Sequence, residues 1–388
     1  MESIRAKQID DYIKAGKEAN IQPVGISSII IEDERRDEPV YEIPINLLRF
    51  NIDNGRFLAE KINKNKKLGF ELDSDNKDHE VYFLELLLPE KDPDSKKFVN
   101  DIKNSGQLVP GVITYDGYVI DGNRRMAALI KLYKETKKAK FEKLRVHRLP
   151  PTINLKNIYI IEIEHQLKKV GPKSYGPINE MLKIKEGTEK GLIVEEIANR
   201  IDWSENKVKE SFSRLRMMDY FLTKIGRSED YSILTNYNEH FVELMKGKNK
   251  LEREGSSVTE IDDYMEIFFK AMEANIDKSF DKVLGHRGPL RNLPEAFLDK
   301  TISPELRELI NPENDPTSEE IFKTIKNASD AIEFIKTNKK PIELLRQARV
   351  LIEKIDINSD MIFETQFINL LNAVGSTLQR FREKINNP

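Results

Sequence analysis

The chain has 388 residues, 33% charged and 39% hydrophobic, with a formal net charge of −3. That length allows two or three domains with cores of their own, and no run of about eighteen apolar residues offers a membrane span. There is no cysteine, which excludes disulfides, thiolate zinc sites and cysteine nucleophiles together and fits a cytoplasmic location.

The charge is unevenly spread. Residues 121–217 carry 22 Lys and Arg against 13 Asp and Glu, whereas residues 1–100 carry 16 against 21 and residues 218–388 carry 24 against 30. A basic middle between acidic flanks is the electrostatic footprint of a polyanion partner, with a solvated lysine-rich surface as the plainer alternative.

In chain order, residues 1–37 read as an appendage: a short helix, the strand-like Gly25-Ile-Ser-Ser-Ile-Ile-Ile31, and an acidic turn through Glu38. Its N-terminus lacks the apolar core of a secretory leader. Residues 38–150 read as an α+β domain. Within it, Val81–Leu88 is strand or helix, and a helix with Ser95 as its N-cap ends at Gly106. Asp116-Gly117 then turns a hairpin over residues 112–120. Leu144–Leu149 alternates as a closing strand, and Pro150-Pro151 marks a boundary. From Leu155 onward only helices are predicted: 155–169, 175–186, 193–201 and 204–222 in a second domain, then a helical domain over 223–388.

Val119-Ile-Asp-Gly-Asn-Arg-Arg-Met-Ala-Ala-Leu-Ile130 carries the clearest chemistry. An apolar strand breaks at Gly122 and restarts as a helix, whose first backbone N–H groups attract anions, phosphate above all. Arg124 and Arg125 add planar donor forks that stay charged at neutral pH. The alternative is an ordinary strand end whose arginines pair with surface acids.

These residues resemble the Gly-Glu-Arg-Arg motif of ParB-type partition proteins, in the wider ParB/sulfiredoxin superfamily. Ile43-Pro-Ile-Asn-Leu-Leu resembles the family's Ile-Pro-hydrophobic strand, and Phe98–Pro110 its helix followed by Gly-hydrophobic-Pro. The likeness covers roughly residues 38 to 222. It implies a ParB/sulfiredoxin-like α+β domain that binds a nucleoside triphosphate, CTP or ATP, with Mg2+. By resemblance, Gly122, Asn123, Arg124 and Arg125 line the phosphates with Asp121 beside them in the nucleotide site, Met126 and Ala127 supply backbone N–H groups, and Gly106, Gln107 and Val109 face the base and sugar. Glu162 and Glu164, in Ile161-Glu-Ile-Glu-His-Gln166, are the candidate metal ligands through hard oxygens, the alternative being solvated helix acids. Two departures bear on chemistry. Asn123 replaces the family's glutamate and cannot accept a proton, so at most a weak, CTPase-like NTPase is expected. The sulfiredoxin cysteine is missing, which excludes that reaction.

Gly191–Arg216 fits a helix-turn-helix. Ile193, Ile197, Ala198 and Ile201 form an inward face, Asp202-Trp203-Ser204 the turn, and Val208, Phe212 and Leu215 the second helix's core side. Asn206, Lys207, Lys209, Ser213 and Arg214 are the candidate DNA contacts, with Arg214 nearer the backbone. A helical hairpin used only for packing is the alternative.

Further on, Ser257-x-x-Glu260 and Thr317-x-x-Glu320 are capping boxes and Ser303-Pro304 a helix start, while Gly285–Pro294 reads as a loop. His240 and His286 lack partners at metal-ligand spacing. The stripe of Phe363, Phe367, Leu370, Leu371, Val374, Leu378 and Phe381 predicts core packing, or else a homodimer seam. The expectation is a cytoplasmic, homodimeric, nucleotide-regulated DNA-binding protein. Two alternatives stand beside it: a phosphoryl-transfer enzyme (kinase, NTPase or, less so, nuclease), and a non-enzymatic regulator that binds other proteins.

Overall fold

A computed structural model describes residues 3–31, 34–167, 176–278 and 288–386. The chain divides into two compact units, residues 1–290 and 291–388.

The first unit opens with helix α1 (Ile4–Glu18) and strands β1 (Gly25–Ile31), β2 (Glu34–Pro44) and β3 (Arg49–Phe50). Helices α2 (Leu58–Leu68), α3 (Glu80–Leu87) and α4 (Pro93–Ser105) follow, then the hairpin β4 (Gly111–Ile113) and β5 (Tyr118–Asp121), helix α5 (Asn123–Thr136) and strand β6 (Lys143–Arg148). The strands form one mixed sheet in the order β1-β2-β6-β4-β5-β3. Within it β4 and β6 run parallel, as do β3 and β5, and the remaining pairs are antiparallel.

Alternation along the strands gives the sheet two covered faces. Ile113, Val119, Leu144 and Val146 point into a core with Met126, Ala127 and Leu129 of α5 and Ile9 and Ile13 of α1. Val112 and Ile120 point the other way, onto Ile161. The first 37 residues are therefore built into the domain: Ile9 is fully buried and β1 pairs with β2 along its length. Residues 80–87 resolve as helix, and the N-cap of α4 is Asp92, which accepts from Asp94 N at 3.2 Å; Ser95 lies inside the helix.

The helical part of this unit comprises α6 (Leu155–Leu167), α7 (Pro177–Glu189), α8 (Val194–Arg200), α9 (Glu205–Lys224), α10 (Asn238–Arg253) and α11 (Val258–Lys278). The expected helix ends at 168–169 and 175 lie outside the described residues. Helix α6 is apolar on both sides because it is buried on both sides. Its Ile161 packs on the sheet, while Tyr159, Ile163 and Leu167 join Ile184, Ile197, Ala198, Ile201 and Val208 of the following helices.

The second unit holds the end of α12 (Gly288–Leu298), then α13 (Ser303–Glu308), α14 (Ser318–Glu353) and α15 (Thr365–Asn386). Both capping boxes form: Ser257 N donates to Glu260 at 2.8 Å and Thr317 N to Glu320 at 2.7 Å. The expected loop at Gly285–Pro294 is corrected in its described part, where residues 288–294 are helical even with Pro294 inside. His286 lies outside the described residues. The predicted core packing of the last helix is overturned, because α15 has no buried residue. Among the described residues no helix is long and apolar enough to cross a membrane.

Candidate functional site

The strand-turn-helix at Gly122 forms as its residues demand. Gly122 adopts φ 110°, a left-handed conformation that favours glycine, and Met126 N donates to its carbonyl at 2.8 Å to start α5. No side chain caps this helix start, so its first amides remain available to an external acceptor. The hairpin beside it is equally tight, since a Cβ on Gly111 would lie 2.5 Å from the Asp121 carbonyl.

The two arginines diverge. Arg125 Nη2 meets Asp121 Oδ2 at 2.5 Å and its Nη1 donates to the Val109 carbonyl. Arg124 lies instead against the first turn of α4. Its guanidinium stacks over Phe98 at 4.5 Å, donates to Ser95 Oγ at 3.3 Å and stays 3.9 Å from Asp92. Its Nε is buried without a hydrogen-bond partner. Burial first, and the positive charge of Arg56 second, pull the Arg124 guanidinium below its ordinary pKa against the pull of Asp92 and Asp94. Such an environment favours an added anion.

Other predicted ligand residues have structural partners. Asn123 is buried; its Oδ1 accepts from Asn51 N at 3.0 Å and its Nδ2 donates to Val119 O at 2.6 Å. Gln107 spends its amide on β6: Nε2 donates to Arg145 O at 2.7 Å and Oε1 accepts from Arg145 N at 2.8 Å. Gly106, at φ 70°, terminates α4. The expected phosphate-facing role of Met126 and Ala127 is corrected: their side chains are buried, and Met126 N is spent on the Gly122 carbonyl at 2.8 Å, which leaves only the amides before it for a ligand.

Glu162 and Glu164 point in different directions. Glu162 is 4% exposed, 2.8 Å from Lys183 Nζ, and accepts from Asn51 Nδ2 at 2.8 Å. Glu164 pairs with Arg200 at 3.3 Å. Among the described residues no group of three His, Asp or Glu side chains is placed to hold a metal ion. Sequence reasoning missed Lys183, which is fully buried between Glu162 and Glu186 and donates to the Asp53 carbonyl at 3.0 Å. A lysine set between apolar neighbours in Met181-Leu-Lys-Ile184 was its only signal. Sequence reasoning also missed His165, whose Nδ1 stands 3.9 Å from Asp121.

Helices α8 and α9 meet through Ile197, Ala198, Ile201 and Val208, with Trp203 at the turn between them. Ser204 caps α9 by accepting from Lys207 N at 3.3 Å. The expected inward place of Ile193 is corrected: that side chain is 60% exposed, and Leu192 is buried instead. Asn206, Lys207 and Lys209 are exposed on the first turns of α9. Lys207 Nζ lies 3.3 Å above the Trp203 ring, and Lys209 pairs with Glu205 at 2.9 Å. Ser213 is half-buried, and Arg214 turns toward α10, donating to Asn238 Oδ1 at 3.1 Å.

Comparison with family models, curated proteins and solved structures gave no match.

Proposed function

We propose that this chain is a ParB-like DNA-binding protein in which α9 contacts the duplex and the start of α5 takes the phosphates of a nucleoside triphosphate with Mg2+. The observation that carries the DNA reading is the α9 N-terminus. A serine-capped helix presents Asn206, Lys207 and Lys209 to solvent, with a short turn back to α8, inside a segment with nine excess positive charges. Amide and ammonium donors on an exposed helix start suit base edges and phosphates.

The nucleotide reading rests on three features of one turn: the uncapped start of α5, the unpartnered Arg124 Nε and the like-charged neighbour Arg56. Arg125 would join only by leaving Asp121, and Glu162 or Glu164 would reach a metal only by leaving Lys183 or Arg200. The acidic groups nearest the phosphate turn are therefore occupied, which favours binding over turnover.

A polar chain links the two sites. Asn123 holds Asn51, Asn51 holds Glu162, and Glu162 holds Lys183 on α7, which packs against α9. Nucleotide at α5 biases DNA binding only if its affinity differs between the two conformations of that chain. The test is binding of CTP, ATP, GTP and UTP with and without duplex DNA, on wild type and Arg124→Ala. At least one nucleotide binds wild type and binds the variant roughly tenfold to a hundredfold more weakly; no binding to wild type in either condition refutes the ligand half.

A further inference from the structure

Helix α9 runs for 20 residues, well past its capped first turns, and its solvent side stays polar and basic along the way. Asn206, Lys209, Ser213, Arg216 and Tyr220 follow one another at alternating steps of three and four residues. At about 100° per residue that spacing keeps all five on one side of the helix. Ser213 is half-buried and the other four are exposed.

The two arginines of this stretch part company. Arg214 Nη1 donates to Asn238 Oδ1 at 3.1 Å, and burial pulls its guanidinium below its ordinary pKa against Glu239 and Glu210. That side chain belongs to the contact between α9 and α10. Arg216 stays on the solvent side and makes no ion pair among the described residues. Tyr220, one turn later, is 56% exposed, while its ring lies 5.7 Å from that of Phe269 on α11. A ring held on one side loses less freedom when its open side meets a partner.

Duplex DNA is the occupant that fits, because this surface continues the one at the start of α9. At 1.5 Å per residue, Arg216 lies about 15 Å along the helix axis from Asn206, and Tyr220 about 21 Å. The major groove is only about 12 Å wide. With Asn206 at the base edges, the groove floor ends before Arg216 is reached, and the phosphate backbone forms the wall there. A guanidinium fork and a phenol hydroxyl are donors suited to phosphate oxygens. Glu210, exposed between the two ends, would repel a phosphate and suits the amino group of a cytosine instead.

We propose that Arg216, not Arg214, anchors α9 to the DNA backbone and that Tyr220 donates to a phosphate beside it, an assignment that rests on the DNA reading of α9. The measurement is fluorescence anisotropy of a labelled duplex of mixed sequence with the full chain, at several salts between about 50 and 200 mM. Arg216→Ala is expected to keep the wild-type melting temperature and to bind about tenfold more weakly at the lowest salt, as loss of a charged hydrogen bond does. Its slope of log affinity against log salt is expected to be shallower by about one. Arg216→Lys keeps the slope, since the charge remains, and loses part of the affinity with the fork. Tyr220→Phe weakens binding about threefold to tenfold with the slope unchanged, because a neutral hydrogen bond is lost and no charge. Arg214→Ala keeps the slope and melts at a lower temperature, having lost a half-buried contact.

A wild type that binds while Arg216→Ala matches it in affinity and slope overturns this assignment alone, and so does a slope lost in Arg214→Ala instead. A wild type that does not bind at the lowest salt refutes the DNA reading itself.

Discussion

Lys183 Nζ lies 2.8 Å from Glu162 Oε2, and the two side chains are 0% and 5% exposed. This interior ion pair joins α6, which rests on the sheet, to α7, which packs against α8 and α9. Glu186 and the Asp53 carbonyl complete the ammonium's coordination.

Removing one member of a buried pair strands the other charge, so Lys183→Met should destabilise the first unit by about 3–5 kcal/mol. The combined Lys183→Met, Glu162→Leu should recover part of that loss. Urea denaturation of the three proteins checks both statements, and additive losses in the double variant would contradict the coupling.

Burial pulls the Lys183 ammonium down, but Glu162 and Glu186 outweigh it and hold the pKa above lysine's usual 10.5. A folded-state pKa raised above the unfolded value gives stability that is full below pH 10.5 and lost as pH rises through the folded value. The wild-type chain should therefore lose stability more steeply than Lys183→Met above pH 10.5. Denaturation midpoints from pH 8 upward measure the difference.

Backbone geometry at the Gly122 turn is testable without any ligand. Gly111→Ala places a Cβ 2.5 Å from the Asp121 carbonyl, and that neighbour is main chain which cannot swing aside. A loss of about 1–3 kcal/mol is expected. Gly122→Ala, at φ 110°, should cost a similar amount through backbone strain. Thermal unfolding of each variant provides the check, and a wild-type melting curve for Gly111→Ala would show that the hairpin is looser than described.

The arginines should behave differently from each other. Arg124→Ala removes the guanidinium with an unpartnered Nε and should weaken nucleotide roughly tenfold to a hundredfold, as loss of a charged hydrogen bond does. Arg125→Ala removes a pair with Asp121 and should act mainly on the 108–109 segment it holds through Val109. Calorimetric titration separates them, and equal effects would argue for one shared cradle.

Much of this architecture was legible in the sequence where local chemistry decides it. Asp116-Gly117 announced the β4–β5 hairpin, Gly122 the strand-to-helix break, and Thr317 with Glu320 the start of α14. Illegible features depended on distant partners. The run Ile158–Ile163 of α6 shows no single apolar face because the sheet covers one side and α7–α9 the other. The acids Glu162 and Glu164 looked like ligands because nothing nearby in sequence reveals Lys183 or Arg200. Residues 1–37 looked detachable because the partners of Ile9 lie in β2 and α5 and beyond. The α15 stripe predicted core packing, and the fold does not supply it: no residue of that helix is buried.

The central claim is that the start of α9 binds DNA. Its most direct measurement is fluorescence anisotropy of a labelled duplex with the full chain at about 50 and 200 mM salt, for wild type and for Asn206→Ala with Lys207→Ala and Lys209→Ala. A handful of phosphate contacts predicts a wild-type affinity that falls on the order of a thousandfold between those salts, and a variant that is weaker at both with a shallower slope. Affinity that is flat in salt, or unchanged by the three substitutions, would contradict the account.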